Sequence, residues 1–238
     1  MGTGGDLPTD GMGPGRLATI LSWAIPARVV ADIGAGDGQL AMMAAAAGAR
    51  VIATEAKEGP YQRLRQRLVG SPGIEVRFGD GFSPLAAGEA DVIVIAGMGA
   101  KTICGILERG EAVAKAAQRL VLQPMRSADP IRRMLVDGRW SWSNEDLAYD
   151  GEHFYEVLVI DTGRERLAWD PGRQPLGPGL STRDDPLGRA YRTAHLRRLE
   201  HLVATRLEAG RSVLHLEETI MSIRNAAPSP THARKAGT

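Results

Sequence analysis

Five short runs of aliphatic and β-branched residues, alternating with helical periodicity, constrain this chain more than any other feature. The runs are ARVVADIGAG, RVIATEA, IEVRFGD, ADVIVIAG and LVLQPM, each ending near glycine, an acid or proline. Continuous apolar runs of that length suit strands buried on both faces. Between them, RLATILSWAI places Leu17, Ile20, Leu21 and Ala24 on one helical face before Pro26 stops it, and DGQLAMMAAAAGA is an alanine-rich helix ending at Gly48. GPYQRLRQRLVGS, AKTICGILERGEAVAKAAQRL (broken near Gly110) and SADPIRRMLVDGR continue the alternation, the last with Ser127 or Asp129 as cap and Pro130 in its first turn. Parallel neighbours must be joined by crossovers, so this order predicts an α/β, doubly wound, mostly parallel sheet with helices on both faces. WSWSNEDLAYD and HFYEVLVID, separated by DGE, add an antiparallel hairpin as the terminal part of that sheet.

The texture changes after Asp161. A Pro/Gly-rich segment, PGRQPLGPGLSTRDDPLG, precedes two amphipathic stretches. Leu196, Leu199, Val203 and Leu207 form one stripe, and Val213, Leu216, Ile220 and Ile223 a second, joined at Ala209-Gly210-Arg211. Two such stripes predict an antiparallel α-helical hairpin, a short coiled coil that either packs on the sheet domain or stands away from it. The expected organisation is therefore a disordered N-terminus over 1–15, a sheet domain over 16–163, a linker over 164–188, the helical hairpin over 189–226 and a disordered tail over 227–238.

At 238 residues and 43% apolar content the chain can build a proper core. No stretch approaches the roughly 18–20 uncharged residues of a membrane span, and no basic-then-apolar leader opens the sequence, so a cytoplasmic protein with no membrane partner is expected. One cysteine, Cys104, excludes an internal disulfide and a cysteine metal cluster, and reads as a packing residue. The five histidines are scattered; His195, His201 and His215 read as solvent-facing, and no metal site is expected. From Asp161 onward 13 Lys and Arg face 9 acids, whereas the whole chain carries +1, an asymmetry that points to an anionic partner for the tail.

The chemistry concentrates at the strand ends. VVADIGAGDGQLA sets Asp32, Gly34, Gly36, Asp37 and Gly38 between the first strand and its helix. Glycines there let the backbone approach a ligand. A nicotinamide site would want G-x-G-x-x-G and a mouth that welcomes pyrophosphate. Carboxylates on both sides of the glycines disfavour a phosphate and suit an ammonium, which S-adenosyl-L-methionine carries. The second strand ends at Glu55, placed to accept both ribose hydroxyls, and the third at Asp80, placed to hold an adenine amino group. Ala56, Gly81 and Ala96 complete the expected cofactor set.

The run D-I-G-A-G-D-G resembles the first motif of class I S-adenosylmethionine-dependent methyltransferases. With IAGMGA, LVLQP, EGPYQRLRQRL, GDG and FYEVLVID, the chain closely resembles the bacterial tRNA (adenine-22-N1)-methyltransferase family over most of residues 16–161, and loosely over the hairpin. That resemblance implies a Rossmann-like domain, S-adenosyl-L-methionine as cofactor and tRNA as substrate, with no obligate protein partner. Asp32, Ile33, Gly34 and Leu40 match the family's approximate A-D-I-G-S-D-H-A-Y-L-P. Its acid falls on Gly36 and its histidine on Asp37, GMGG becomes GMGA, and Met125 replaces an amide in LQPN.

Adenine N1 has an in-plane lone pair, so its methylation requires no base at the bond-forming step, only positioning and exclusion of water. Gly97, Met98 and Gly99 are thus expected to form the substrate-edge turn, with Asp37 partly substituting for the missing acid as the fourth catalytic candidate. The target must be unpaired or extruded. Arg189, Arg192, Arg197 and Arg198 are the expected phosphate contacts, followed by Arg206 and Arg211. Two other readings remain open: a methyltransferase of the same fold with another RNA or a small molecule as substrate, and an RNA-binding homologue with weak catalysis. A nicotinamide oxidoreductase is the most distant.

Overall fold

The structure, a computed structural model, describes residues 15–138, 140–151, 153–163 and 167–226. The segments 1–14 and 227–238, where disorder is expected, lie outside the described residues. Seven strands form one sheet in the order β3-β2-β1-β4-β5-β7-β6: β1 (Val29–Ile33), β2 (Arg50–Glu55), β3 (Ile74–Phe78), β4 (Val92–Met98), β5 (Arg119–Pro124), β6 (Trp142–Asp150) and β7 (His153–Asp161). The first five in that row from β3 to β5 run parallel, and β7 pairs antiparallel with both β5 and β6. The last strand in sequence therefore inserts beside β5 and leaves β6 at the edge, as a Rossmann-like sheet with an antiparallel terminal strand requires.

Helices α1 (Arg16–Ala24), α2 (Gln39–Ala46) and α3 (Glu58–Arg67) cover one face; α4 (Ala100–Arg109), α5 (Glu111–Ala116) and α6 (Asp129–Asp137) cover the other. Strand pleating sorts the side chains between them. Val30, Val51, Val94 and Val121 pack with Ile20, Leu40 and Leu64, while Ala31, Ile33, Ile93, Ile95 and Leu122 pack with Ile103, Leu107 and Ile131. The helix after β4 breaks at Gly110, as its sequence predicts. Chain order runs outward in one direction from β1 through β2 and β3, and in the other from β4 to β5. The switch point lies between β1 and β4, and ligands of open α/β sheets bind outside the carboxyl ends of strands at such a point.

The expected linker is more structured than its composition suggests. Leu176 and Leu180 are buried, the second within the short helix α7 (Pro178–Ser181), and the Glu145 carboxylate on β6 accepts the Gly179 and Leu180 amides at 2.8 and 3.3 Å. The long helix α8 (Pro186–Glu208) starts three residues before the expected boundary. Asp185 caps it by accepting the Gly188 N–H at 2.7 Å, with Pro186 next to it. The D-D-P sequence is a capping signal that the surrounding prolines and glycines mask.

Helix α9 (Leu214–Asn225) returns along α8, and Arg224 meets Glu200 at 2.6 Å. Leu199, Ile220 and Ile223 are buried together with Leu147, Leu176, Leu187 and Tyr191, so the hairpin packs on the β6–β7 edge. The apolar seam stops at Val203, and Leu207 in the last turn of α8 is exposed. Beneath the junction sits Arg132 of α6, 1% exposed, bonded to Glu145, Glu156 and Asp129. This one guanidinium ties α6 to both strands of the edge hairpin.

Candidate active site

The glycine turn after β1 is clamped by the end of β2. The Gly34 N–H donates to Thr54 Oγ1 at 3.3 Å, Ala35 N–H to the Thr54 carbonyl at 2.9 Å, and Gly36 N–H to Glu55 Oε1 at 2.8 Å. Gly34 has φ +69°, and a Cβ there would sit 2.2 Å from the Met98 methyl. Met98 of β4 thus lies directly over the turn, joining the two sides of the switch point.

Asp32 ends in a polarity mismatch. Its side chain is buried, at 4% exposure, and Oδ2 has no hydrogen-bond partner among the described residues. Burial, reinforced by the nearby Glu55 and Asp37 carboxylates, pushes its pKa up to about 7. An orphaned buried carboxylate oxygen beside a glycine turn is complementary to an ammonium group, which would supply both charge and hydrogen bond.

The other acids stand nearer the surface. Glu55 lies at the end of β2, with exposed Ala56 after it, and its carbonyl accepts the Gly79 N–H at 2.9 Å. This brings β2 next to the turn bearing Asp80 and Gly81. Asp80 is paired with Arg109 of α4 at 3.0 Å in an opening of about 440 Å3 formed with Gly81, Phe82 and Ile106. Asp37 accepts the Gln39 N–H and side-chain amide at 3.3 and 2.8 Å and lies 3.8 Å from Arg67. With Gly36, Glu55, Pro60 and Arg63 it lines a second opening, of about 480 Å3. Gly38 precedes α2 on that same side. The structure therefore gathers Asp32, Gly34, Gly36, Asp37 and Glu55, and holds Asp80 and Gly81 at the next strand end.

Across the switch point, the register of β4 on β5 shifts between Ala96 and Met98. Gly97 occupies the irregularity at φ +75°, and its N–H donates to Gln123 Oε1 at 3.1 Å. The same oxygen accepts Arg16 Nη1 at 3.1 Å, and Gln123 Nε2 donates to the Pro124 carbonyl at 2.6 Å. The Met98 carbonyl accepts the Met125 N–H at 2.9 Å, and the Gly99 carbonyl accepts the Thr102 and Ile103 amides at 2.9 and 3.1 Å. Gln123, fully buried, and Arg16 are residues that reading the chain missed. Gln123 left a signal, since an amide inside LVLQP must find partners in a buried strand. Arg16 left none, because only the fold brings α1 to this turn.

Near Met125 opens a cavity of about 740 Å3, between the β5–α6 loop, β7 and α8. His195 lines it. Burial, with Arg198 adding to it, lowers its pKa to about 4, so the solvent-facing reading is corrected to a half-buried, neutral imidazole. Of the four expected phosphate contacts, Arg189 pairs with Asp184, and Arg192 donates to the Ser181 and Arg183 carbonyls at 2.8 and 2.9 Å. Arg197 and Arg198 have no ion pair among the described residues and are exposed. No cluster of metal-ligating side chains occurs among the described residues, and no helix there is long and apolar enough to cross a membrane. Cys104 is half-buried against the α4 side of the core.

Residues 14–158 match the family described as a methyltransferase domain. The Bacillus subtilis (strain 168) tRNA (adenine(22)-N(1))-methyltransferase is 36% identical over 162 residues, 65% of this chain and 67% of that protein. The crystal structure of the B. subtilis m1A22 tRNA methyltransferase superposes with a TM-score of 0.73 at 27% identity, covering 89% of this chain and 97% of the other. Streptococcus pneumoniae Sp1610, in complex with S-adenosyl-L-methionine, gives 0.77 at 26% identity with the same coverage. A glycine turn with an orphaned acid, facing a G-M-G turn at the switch point of a sheet shared with these proteins, places this chain in the tRNA (adenine-22-N1)-methyltransferase family.

Proposed function

We propose that this chain is a cytoplasmic, RNA-binding enzyme that transfers a methyl group from S-adenosyl-L-methionine to N1 of an adenine in tRNA. The observation that carries the reading is the buried, unpartnered Oδ2 of Asp32 at the switch point, opposite a turn without a base. Asp32 would hold the cofactor's ammonium, Glu55 its ribose hydroxyls, and Asp80, once shared with Arg109, its adenine amino group. Gly34, Gly36, Gly38, Ala56, Gly81 and Ala96 supply close backbone around it. When bound, the cofactor supplies an electrophilic methyl on a sulfonium.

The chain's own task is then positional. Gln123 fixes the Gly97 amide, Met98 covers the glycine turn, and Gly99 starts α4, so the edge that meets the base is held from three directions. A target adenine offers a lone pair at N1, and no residue of the turn needs to accept a proton. Asp37 stands in for the family acid that falls on Gly36, easing charge development on the base. Asp37→Ala is expected to lower kcat about tenfold, below the 10²–10⁴ of a full acid–base catalyst, because its role is partial. A wild-type rate would remove it from the site. The α8–α9 hairpin, a short coiled coil, presents Arg197 and Arg198 to RNA.

The direct test incubates the protein with methyl-labelled cofactor and unmodified tRNA. Label in tRNA supports the reading. Cofactor binding without transfer would make the chain a non-catalytic RNA-binding homologue, and label only in other material would make it a methyltransferase of another substrate.

A further inference from the structure

The cavity beside Met125 serves neither the cofactor nor the substrate-edge turn in the roles above, and of its lining only Arg198 has been given one; it adjoins that turn on two sides. Met125, in its wall, donates its N–H to the Met98 carbonyl, and Arg16, which holds Gln123, lies over the ring of Tyr155, also in its wall, at 5.7 Å. At about 740 Å3 it falls within the few hundred to roughly 1,000 Å3 of small-molecule pockets. Its chemistry is mixed. Arg126 from the β5–α6 loop and Arg198 from α8 line it, are exposed, and have no ion pair among the described residues. Arg132 also reaches it but is already engaged by Glu145, Glu156 and Asp129, and of those carboxylates Asp129 and Glu156 stand in the cavity wall. Tyr155 and neutral His195 add flat rings.

Two unpaired guanidiniums, acceptor carboxylates and aromatic rings in one cavity match the parts of a nucleotide: phosphate, amino-bearing base edge and base face. A free phosphate or an acidic peptide would use the arginines but meet the carboxylates as repulsion. We infer that this cavity is a subsite for one unpaired nucleotide of the RNA, next in the strand to the adenine presented at Gly97–Gly99. This rests on the proposed tRNA activity for the identity of the RNA, but its occupancy is a separate property. The cavity also gives the hairpin a purpose in recognition, since α8 supplies one wall and the sheet domain the other, and RNA seated there would bridge them.

The test measures the dissociation constant of an unmodified tRNA by fluorescence anisotropy, together with kcat and cofactor affinity, for wild type, Arg126→Ala, Arg198→Ala and the cavity-filling Ala194→Trp. Each arginine change should weaken tRNA binding about tenfold and reduce the slope of log K against log salt by about 1, with cofactor affinity unchanged. Ala194→Trp should weaken binding at least as much with both arginines intact, which a merely electrostatic surface would not. Lys115→Ala, on α5 and outside the cavity, is the control. Wild-type tRNA affinity in all three cavity variants, or an equal loss in Lys115→Ala, would overturn the subsite. The proposed activity fails separately if wild type binds tRNA, loses that binding in the cavity variants, and transfers no methyl group; the subsite would then stand.

Discussion

Asp32→Asn removes a charge that the protein holds at a cost, and its two effects have opposite signs. The carboxyl is raised from 3.8 to about 7, chiefly by burial. A folded-state pKa above the unfolded one means that the folded chain binds the proton more tightly. The cost is absent below about pH 4, grows as pH rises, and is complete above 7. At 1.36 kcal/mol per pKa unit it amounts to roughly 4 kcal/mol, an upper bound because the apo site can relax or admit water. The isosteric amide carries no such cost. At pH 8, Asp32→Asn should therefore melt several degrees above wild type in calorimetry without cofactor, the gap closing as pH falls from 7 to 4. The same change removes a charge-assisted hydrogen bond of about 1.5–3 kcal/mol, so calorimetric affinity for S-adenosyl-L-methionine should fall roughly 10- to 150-fold. Because the ammonium prefers the ionised carboxylate, wild-type affinity should itself rise about tenfold from pH 6 to pH 8. A variant equal to wild type in both melting and affinity at pH 8 would refute the role assigned to Asp32.

Three further outcomes follow from the same geometry. Gln123→Leu leaves the Gly97 amide and Arg16 without their shared acceptor; stability in urea should drop by about 1–3 kcal/mol, and kcat should fall while cofactor affinity holds. Arg132→Met strands Glu145, whose side chain is fully buried, and should cost about 3–5 kcal/mol in urea denaturation, partly recovered by adding Glu145→Gln. Gly34→Ala forces a left-handed backbone onto alanine, at a cost of about 1–2 kcal/mol, while the Met98 methyl above it can swing aside; calorimetric cofactor affinity should fall about tenfold, and Met98→Ala should not restore it.

The sheet was legible because its signal is local. Runs such as VVADI and VIVIAGM are apolar on both faces, and turns such as D-I-G-A-G-D-G announce where the backbone must fold tightly. That Asp32, Glu55 and Asp80 stand at or just past strand ends was legible for the same reason. What the chain did not disclose depends on distant packing. Nothing near Arg16 says that it will meet Gln123, 107 positions away. Nothing near Arg192 says that the Ser181 and Arg183 carbonyls will engage it while Arg197 and Arg198 stay free of ion pairs. The segment at 167–185 reads as a linker from its prolines and glycines, yet Leu176, Leu180 and the Glu145 carboxylate hold it to β6. His195 reads as one more polar position on an exposed helix until the sheet edge closes against it.

The atom that receives the methyl group defines the reaction. Unmodified tRNA treated with the protein and S-adenosyl-L-methionine, digested to nucleosides and resolved by mass spectrometry, reports this directly. The predicted product is 1-methyladenosine, formed only when cofactor is present and lost when the target adenine is replaced by guanine. Methyl groups on another base or on ribose, or none on RNA to which the protein demonstrably binds, would contradict it.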